Sequence, residues 1–357
     1  MTGIETEDEL KTNIKKLSEK FSKATLKEAL KESIRGLSKE VSSDIIQETL
    51  QELIIEMKEH KQLPKPPNSP TKTLKPAAPV YTNIVLSGGS VKGLSHFGAI
   101  HRLVETGHLD LSKIKCYTCV SAGAMCAFFF VLGFSFEQIW DFAAKIDFKK
   151  LISPDFSNIK KCGVDTGDKM QNLFEEILSK RTGIRDCTLL QLFNITKIKY
   201  NIVGSCLTTK EEVYFNYETY PDMKVSTAIR ISMSIPFILI PVTFAGKKYI
   251  DGGILNNYPI NQHSHDLDKT IGFLVCDGYD TDYQYAEQFP MAILNLYLHN
   301  YNKELYRYRK NTVYIKGGID KFSSFSFNIT NIHKERMFLI GVESADSFIS
   351  SLKNDIT

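Results

Sequence analysis

Apolar and polar positions change rhythm three times along this chain. In residues 1–63 the apolar side chains recur in steps of three and four: Leu10, Ile14, Leu17 and Phe21, then Leu30, Ile34, Leu37 and Val41, then Ile46, Leu50, Leu53 and Met57. Such steps put side chains on one helix face, so the segment predicts two or three amphipathic helices. Breaks fall near Ser22–Thr25 and Ser42–Ser43. Residues 64–79, PKPPNSPTKTLKPAAP, then hold half of the chain's twelve prolines. Proline fixes φ and removes a backbone donor, which predicts an extended linker and a domain boundary.

From residue 80 the rhythm changes again. TNIVLSG is a short apolar strand, Ile84 to Leu86, that runs into glycines. KGLSHFGAIHRLVETG follows with helical spacing, Leu94, Phe97, Ile100 and Val104 on one face and Gly107 as the stop. IKCYTCV is a second strand, followed by an apolar helix expected to run through Phe136. IKYNIVGSCL and TIGFLVCDG are further strands. Apolar strands alternating with helices predict an α/β fold with a largely parallel sheet covered on both faces.

Composition narrows this only slightly. A length of 357 residues fits one large domain with an appendage, or two domains, at roughly 100–200 residues per domain. A net charge of +3 argues against a general nucleic-acid binder. The N-terminus MTGIETEDEL lacks an apolar secretory core, and Ala122 to Phe134 is shorter than the ~18 residues of a membrane span. The expectation is a cytoplasmic protein, peripheral at membranes if it meets them. Seven cysteines, an odd number mostly in apolar surroundings, fit reduced thiols. Cys116 and Cys119 form C-x-x-C with no second pair at zinc spacing, so no metal and no cofactor is expected.

Three segments carry candidate chemistry. Ser87-Gly88-Gly89-Ser90-Val91-Lys92-Gly93 joins a strand to a helix. Its backbone N–H groups and the helix N-terminus can hold a phosphate or an oxyanion; the other reading is a tight turn. It is not a nucleotide P-loop. Ser121 stands at a strand-to-helix corner, where a nucleophile or a plain N-cap serine is found. The corner reads Cys119-Val120-Ser121-Ala122-Gly123, so cysteine stands where G-x-S-x-G has its first glycine. In KKYIDGGILNNYPI a strand ends on Asp251, followed by Gly252 and Gly253. Asn256 and Asn257 are turn residues or supports for that carboxylate.

Taken in order, these segments resemble the patatin-like phospholipase family. Its pattern is a G-G-x-x-[KR]-G loop, a G-x-S-x-G elbow and a D-G-[GA] motif. Gly88, Gly89, Lys92 and Gly93 match the first, Ser121 and Gly123 the second, and Asp251, Gly252 and Gly253 the third. The flanks VLSGGSVKGLSHFGAI and ISMSIPFILIPVTFAGKKYIDGGILNNYPI are also similar, so the resemblance spans residues 83–260. It implies a three-layer α/β/α fold with a mostly parallel sheet, over residues 80–357, with 261–357 as a C-terminal extension. It also implies a Ser–Asp dyad without histidine, acting on phospholipid esters at a membrane surface. Ser121 is then the nucleophile and Asp251 the base. Gly88 and Gly89 form the oxyanion hole, with Ser90 retaining an N–H where the family often has glycine. Lys92 matches the basic position, to add positive potential or to lie solvated.

Two alternatives stay open. His263 and His265 follow Asp251, which allows a general α/β-hydrolase triad in the order Ser-Asp-His. A catalytically degenerate lipid- or partner-binding protein on the same scaffold is the other. In either case residues 1–63 are the candidate segment for self-association or a host partner. His96 and His101 read as structural or surface residues, and FFFVLGF at 128–134 as core helix. YNKELYRYRK at 301–310 reads as a solvated amphipathic helix, with an anionic bilayer contact as its other reading.

Overall fold

The computed structural model describes residues 80–276, 305–316 and 329–354. The helices expected in 1–63 and the linker 64–79 lie outside these residues, as do 301–304 of the tyrosine-rich stretch.

Eight strands form one mixed sheet: β1 (Asn83–Leu86), β2 (Cys116–Val120), β3 (Lys199–Cys206), β4 (Glu211–Phe215), β5 (Val242–Phe244), β6 (Lys247–Asp251), β7 (Thr270–Val275) and β8 (Thr312–Ile315). Their order is β5-β6-β3-β2-β1-β7-β8, with β4 pairing β3. The centre is parallel: β1 pairs with β2 and β7, β2 with β3, and β7 with β8. The β4, β5 and β6 pairings are antiparallel. Every residue of β1 and β7 is buried, as expected for strands covered on both faces.

Period-two alternation splits the core. Ile84, Leu86 and Phe273 enter the larger cluster, while Val85 and Leu274 enter a smaller one with Tyr258, Ile260, Leu305 and Tyr308. Over the larger cluster lie α1 (Ser95–Glu105), α2 (Ala122–Val131), α3 (Phe136–Lys145), the short turn α4 (Phe148–Leu151), α5 (Asp168–Thr182), α6 (Leu189–Thr196), α7 (Val225–Ser232) and, after the four-residue turn α8 (Gly253–Asn256), the long α9 (Asn331–Asn354). On the smaller cluster the described residues provide 3-10 turns, Pro259–His263 and Leu305–Asn311. The described part of the tyrosine-rich stretch thus buries Leu305 and Tyr308 and exposes Arg309 and Lys310.

Two sequence expectations need correction. The helix after the glycine loop begins as a 3-10 turn over Ser90–Leu94 and becomes α-helical only at Ser95. The apolar helix after Ser121 ends at Val131 and does not run through Phe136. Gly133 takes φ +68, and Ser135 with Gln138 forms a reciprocal capping box that starts α3 afresh.

Candidate active site

Sheet register brings the two candidate reacting residues to one height. Val120 pairs with Val203, and the next residue of β3, Gly204, pairs with Asp251. Ser121 and Asp251 therefore flank β3 at the level of Gly204, at the carboxyl end of the parallel strands, where α/β folds place their ligands. Gly252 follows Asp251 because the chain crosses β3 there: a Cβ on it would stand 2.3 Å from the Val203 carbonyl oxygen.

Ser121 occupies a strained corner. Its φ of 52° and ψ of −122° lie outside the ordinary regions for a side-chain-bearing residue. It precedes α2 directly, yet its hydroxyl makes no capping hydrogen bond. The N-cap reading therefore fails, and the hydroxyl is left for other work beside the positive end of the helix. Gly123 makes the corner possible, because a Cβ would lie 2.5 Å from the Leu86 oxygen and 2.6 Å from the Ser87 oxygen. Cys119 does not carry the positive φ. It is an ordinary, fully buried β2 residue whose thiol donates to the Asn201 oxygen at 3.5 Å.

Asp251 is buried, and burial raises its pKa from 3.8 to about 7. The Ser121 hydroxyl and the Gly253 N–H oppose that rise by favouring the charged form. Oδ1 accepts from the Gly253 N–H at 2.8 Å, while Oδ2 is buried without a hydrogen-bond partner. Ser121 and Asp251 are thus neighbours whose mutual hydrogen bond is not aligned in this resting geometry. Such contacts commonly tighten only when substrate binds.

The glycine loop lies against this pair. A Cβ on Gly88 would come within 3.4 Å of the Ser121 Cβ and 2.3 Å of Asn257 Oδ1. The Gly88 N–H is not directed at the site, because it donates to the Asn257 carbonyl at 3.1 Å. The Gly89 N–H has no acceptor among the described residues. Ser90 takes φ 49°, so serine here carries about 1 kcal/mol of backbone strain. Gly93 packs on the start of α2, where a Cβ would meet Ala122 Cβ at 2.5 Å. Lys92 is buried at 2% exposure, which removes the solvated reading of its side chain. Asn257 supports the loop through its carbonyl, while Asn256 bonds to Tyr214 and Asn261.

The histidines stand elsewhere. His263 Nε2 is 2.9 Å from Thr118 Oγ1 and its Nδ1 is 3.4 Å from Asp266, so its two ring nitrogens are engaged away from Ser121. His265 is exposed and approaches Asp266 at 3.6 Å. Neither forms the third member of a triad with Ser121 and Asp251. His96 is fully buried, its pKa lowered to about 4 by burial, and its Nε2 donates to the Ser87 oxygen at 3.0 Å. It is a neutral strut beneath the glycine loop.

Apolar periodicity gave no sign of a serine–arginine support at the end of α7. The Ser232 hydroxyl accepts from the Ser121 N–H at 2.9 Å. The Ser234 carbonyl accepts from the Asp251 N–H at 2.9 Å. Arg230, only 2% exposed, bonds to Ser234 Oγ and to the Thr166 and Ile240 carbonyls. Burial lowers its pKa to about 10, against the pull of Asp165 and Asp168. The only sequence signal was the serine spacing in ISMSIP, which has meaning only once both strands are placed.

One apolar pocket opens beside Ser121. Its walls include Met125, Ile146, Phe148, Met170, Phe174 and Leu239, and it encloses about 710 Å³ of empty space, open solvent at the mouth included. A pocket so lined suits a hydrocarbon chain.

Comparison with known proteins agrees with this fold. The family model described as patatin-like phospholipase matches residues 84–262. An uncharacterized protein of Acanthamoeba polyphaga mimivirus is 31% identical over 288 residues, covering 76% of this chain and 95% of that protein. A probable lipid hydrolase of Invertebrate iridescent virus 6 is 29% identical over 195 residues, covering 53% of this chain and 64% of that protein. Among solved structures, VipD from Legionella pneumophila matches with a TM-score of 0.52 at 18% identity, covering 77% of this chain and 67% of that one.

Proposed function

The chain belongs to the patatin-like phospholipase family, a family of lipid hydrolases, and from that premise we propose that it cleaves phospholipid carboxylic esters through a Ser121–Asp251 dyad. The observation that carries this reading is the buried Asp251 carboxyl beside Ser121, with its pKa near 7. A carboxylate of ordinary pKa is a weak base, whereas one near neutrality is matched to take a serine proton.

Ser121 Oγ attacks the ester carbonyl carbon and its proton passes to Asp251. The carbonyl oxygen becomes an oxyanion facing the Gly89–Ser90 backbone and the N-terminus of α2. Collapse expels the lysolipid alkoxide, which takes the proton from Asp251. Water then attacks the acyl-Ser121 carbonyl as Asp251 accepts its proton; collapse breaks the bond to Ser121 Oγ, which takes that proton back from Asp251, and the fatty acid leaves. The apolar pocket holds the acyl chain through both steps. Gly88 supports the loop through its bond to Asn257, which leaves the Gly89 N–H as the donor of this loop. Removing one oxyanion donor typically lowers the rate about 100- to 1000-fold.

The test is fatty-acid release from a phospholipid panel, with and without cell extract, by wild type, Ser121→Ala and Asp251→Asn. Loss in both variants with unchanged folding is expected, together with fluorophosphonate labelling of Ser121. Undiminished turnover by purified Ser121→Ala would reject the dyad. Residues 1–63 are proposed as a self-association or host-partner segment. Sedimentation of the full chain against residues 80–357 tests self-association, with identical monomers rejecting it.

A further inference from the structure

We propose that two paired loops beside the pocket, residues 153–165 and 235–240, form a docking rim for an anionic phospholipid bilayer. The proposal rests on the reading that the pocket takes an acyl chain. Eight large apolar side chains are exposed among the described residues, and three of them stand on these loops: Phe156 at 75%, Ile159 at 59% and Phe237 at 60%. Phe237 also takes φ +69°, an unusual conformation for a bulky residue.

The loops are held together by backbone hydrogen bonds. Val164 and Asp165 both donate to the Ile238 oxygen, at 3.0 and 2.9 Å, and Ile240 donates to the Asp165 oxygen at 2.9 Å. The second loop lines the pocket through Ile235, Ile238 and Leu239, which surround Phe237, and the pocket-wall residues Phe148, Leu151 and Ile152 lead directly into the first loop. The exposed apolar residues are therefore continuous in the chain with the pocket wall.

Charge selects the partner. Residues 147–161 carry Lys149, Lys150, Lys160 and Lys161, all exposed, against Asp147 and Asp155. Asp147 accepts from Lys149 N at 3.1 Å and lies 3.7 Å from Lys150 Nζ, and Asp155 accepts from Ser157 N at 2.9 Å, so the segment keeps an excess of two lysines. Apolar side chains set among lysines fit a layer with anionic headgroups above hydrocarbon. A lipid would then pass from the bilayer to Ser121 across a single apolar edge.

The test uses full-length protein and vesicles of phosphatidylcholine alone or mixed with phosphatidylglycerol. Co-sedimentation is measured in a Ser121→Ala background, so that the vesicles stay intact. Phe156→Ser/Ile159→Ser and Lys160→Glu/Lys161→Glu are each expected to weaken binding to the anionic vesicles about tenfold or more. With Ser121 present, these variants should keep turnover of a short, soluble ester within about twofold and lose vesicular phospholipid hydrolysis about tenfold. Unaltered vesicle binding by Phe156→Ser/Ile159→Ser overturns the proposal. So does a parallel fall in soluble-ester turnover, which would mark a damaged pocket. A wild-type protein that ignores anionic vesicles also overturns it and assigns the rim to a protein partner. If wild type binds in this rim-dependent way but hydrolyses neither substrate, the dyad fails and the docking surface stands.

Discussion

As the proposed base, Asp251 should set two pH dependences of opposite sense. Its base form is the charged one, so kcat/KM on a soluble ester should rise tenfold per pH unit below about 7 and level off above it. An ascending limb near the ordinary carboxylate value would remove this assignment. Stability runs the other way. The folded pKa is near 7 and the unfolded one near 3.8, so between these values the folded state binds more protons. Stability therefore falls as pH rises from about 4 to 7. Three pKa units correspond to roughly 4 kcal/mol as an upper bound. Asp251→Asn should abolish turnover and raise Tm at pH 8, with little change in Tm at pH 4, which thermal melts at the two pH values will check. Cys119 makes a second residue-scale case. The positive φ of the corner falls on Ser121, so Cys119→Gly is expected to leave the rate within about twofold. It should cost about 1–2 kcal/mol of stability in denaturant melts, through a lost buried thiol and a glycine in a strand. Ser121, Asp251 and the glycines were legible in the sequence because each must be a particular residue type. The burial that tunes Asp251 was not, since it depends on every element packed around it.

At the scale of elements, α7 is the part the sequence concealed. Its C-terminal turn holds both halves of the proposed dyad by their backbones, Ser121 through the Ser232 hydroxyl and Asp251 through the Ser234 carbonyl. Ser232→Ala leaves the Ser121 N–H without that acceptor inside the protein. A stability loss of about 1–3 kcal/mol and a fall in kcat of about tenfold, with KM little changed, are expected. Steady-state kinetics on a soluble ester separate the two constants; a change confined to KM would contradict the positioning role. The strands β1, β2, β3 and β7 were visible as short apolar runs bounded by turn residues, and β6 as the strand that ends on Asp251. The break between α2 and α3 was masked by continuous hydrophobicity from Ala122 to Phe134, through which Gly133 and Ser135 act locally. The antiparallel β4 and β5 carry half-exposed residues and give no comparable run.

The whole molecule joins an apolar pocket, the proposed dyad and a sheet whose last described helix closes on its first. Pocket length is a molecular property, and Ile146→Trp should shift preference toward shorter acyl chains by about tenfold in the ratio of C4 to C16 ester kcat/KM. An unchanged ratio would place the chain elsewhere. The closure itself rests on two glycines. A Cβ on Gly98 of α1 would stand 1.9 Å from the Phe338 oxygen, and one on Gly341 of α9 would stand 2.0 Å from the Ser95 oxygen. The helices touch at backbone distance, and Arg102 bridges them to Asp346 at 2.7 Å. Contact partners so far apart in sequence impose an order in time. At about 5–20 residues per second, a ribosome that has made Gly98 needs tens of seconds more to supply Gly341. Throughout that interval the helix that follows the glycine loop has an uncovered face. A nascent chain is thus held short of its finished site until Gly341 and its helix have been made, which delays the appearance of lipid-cleaving activity in the cell that makes it.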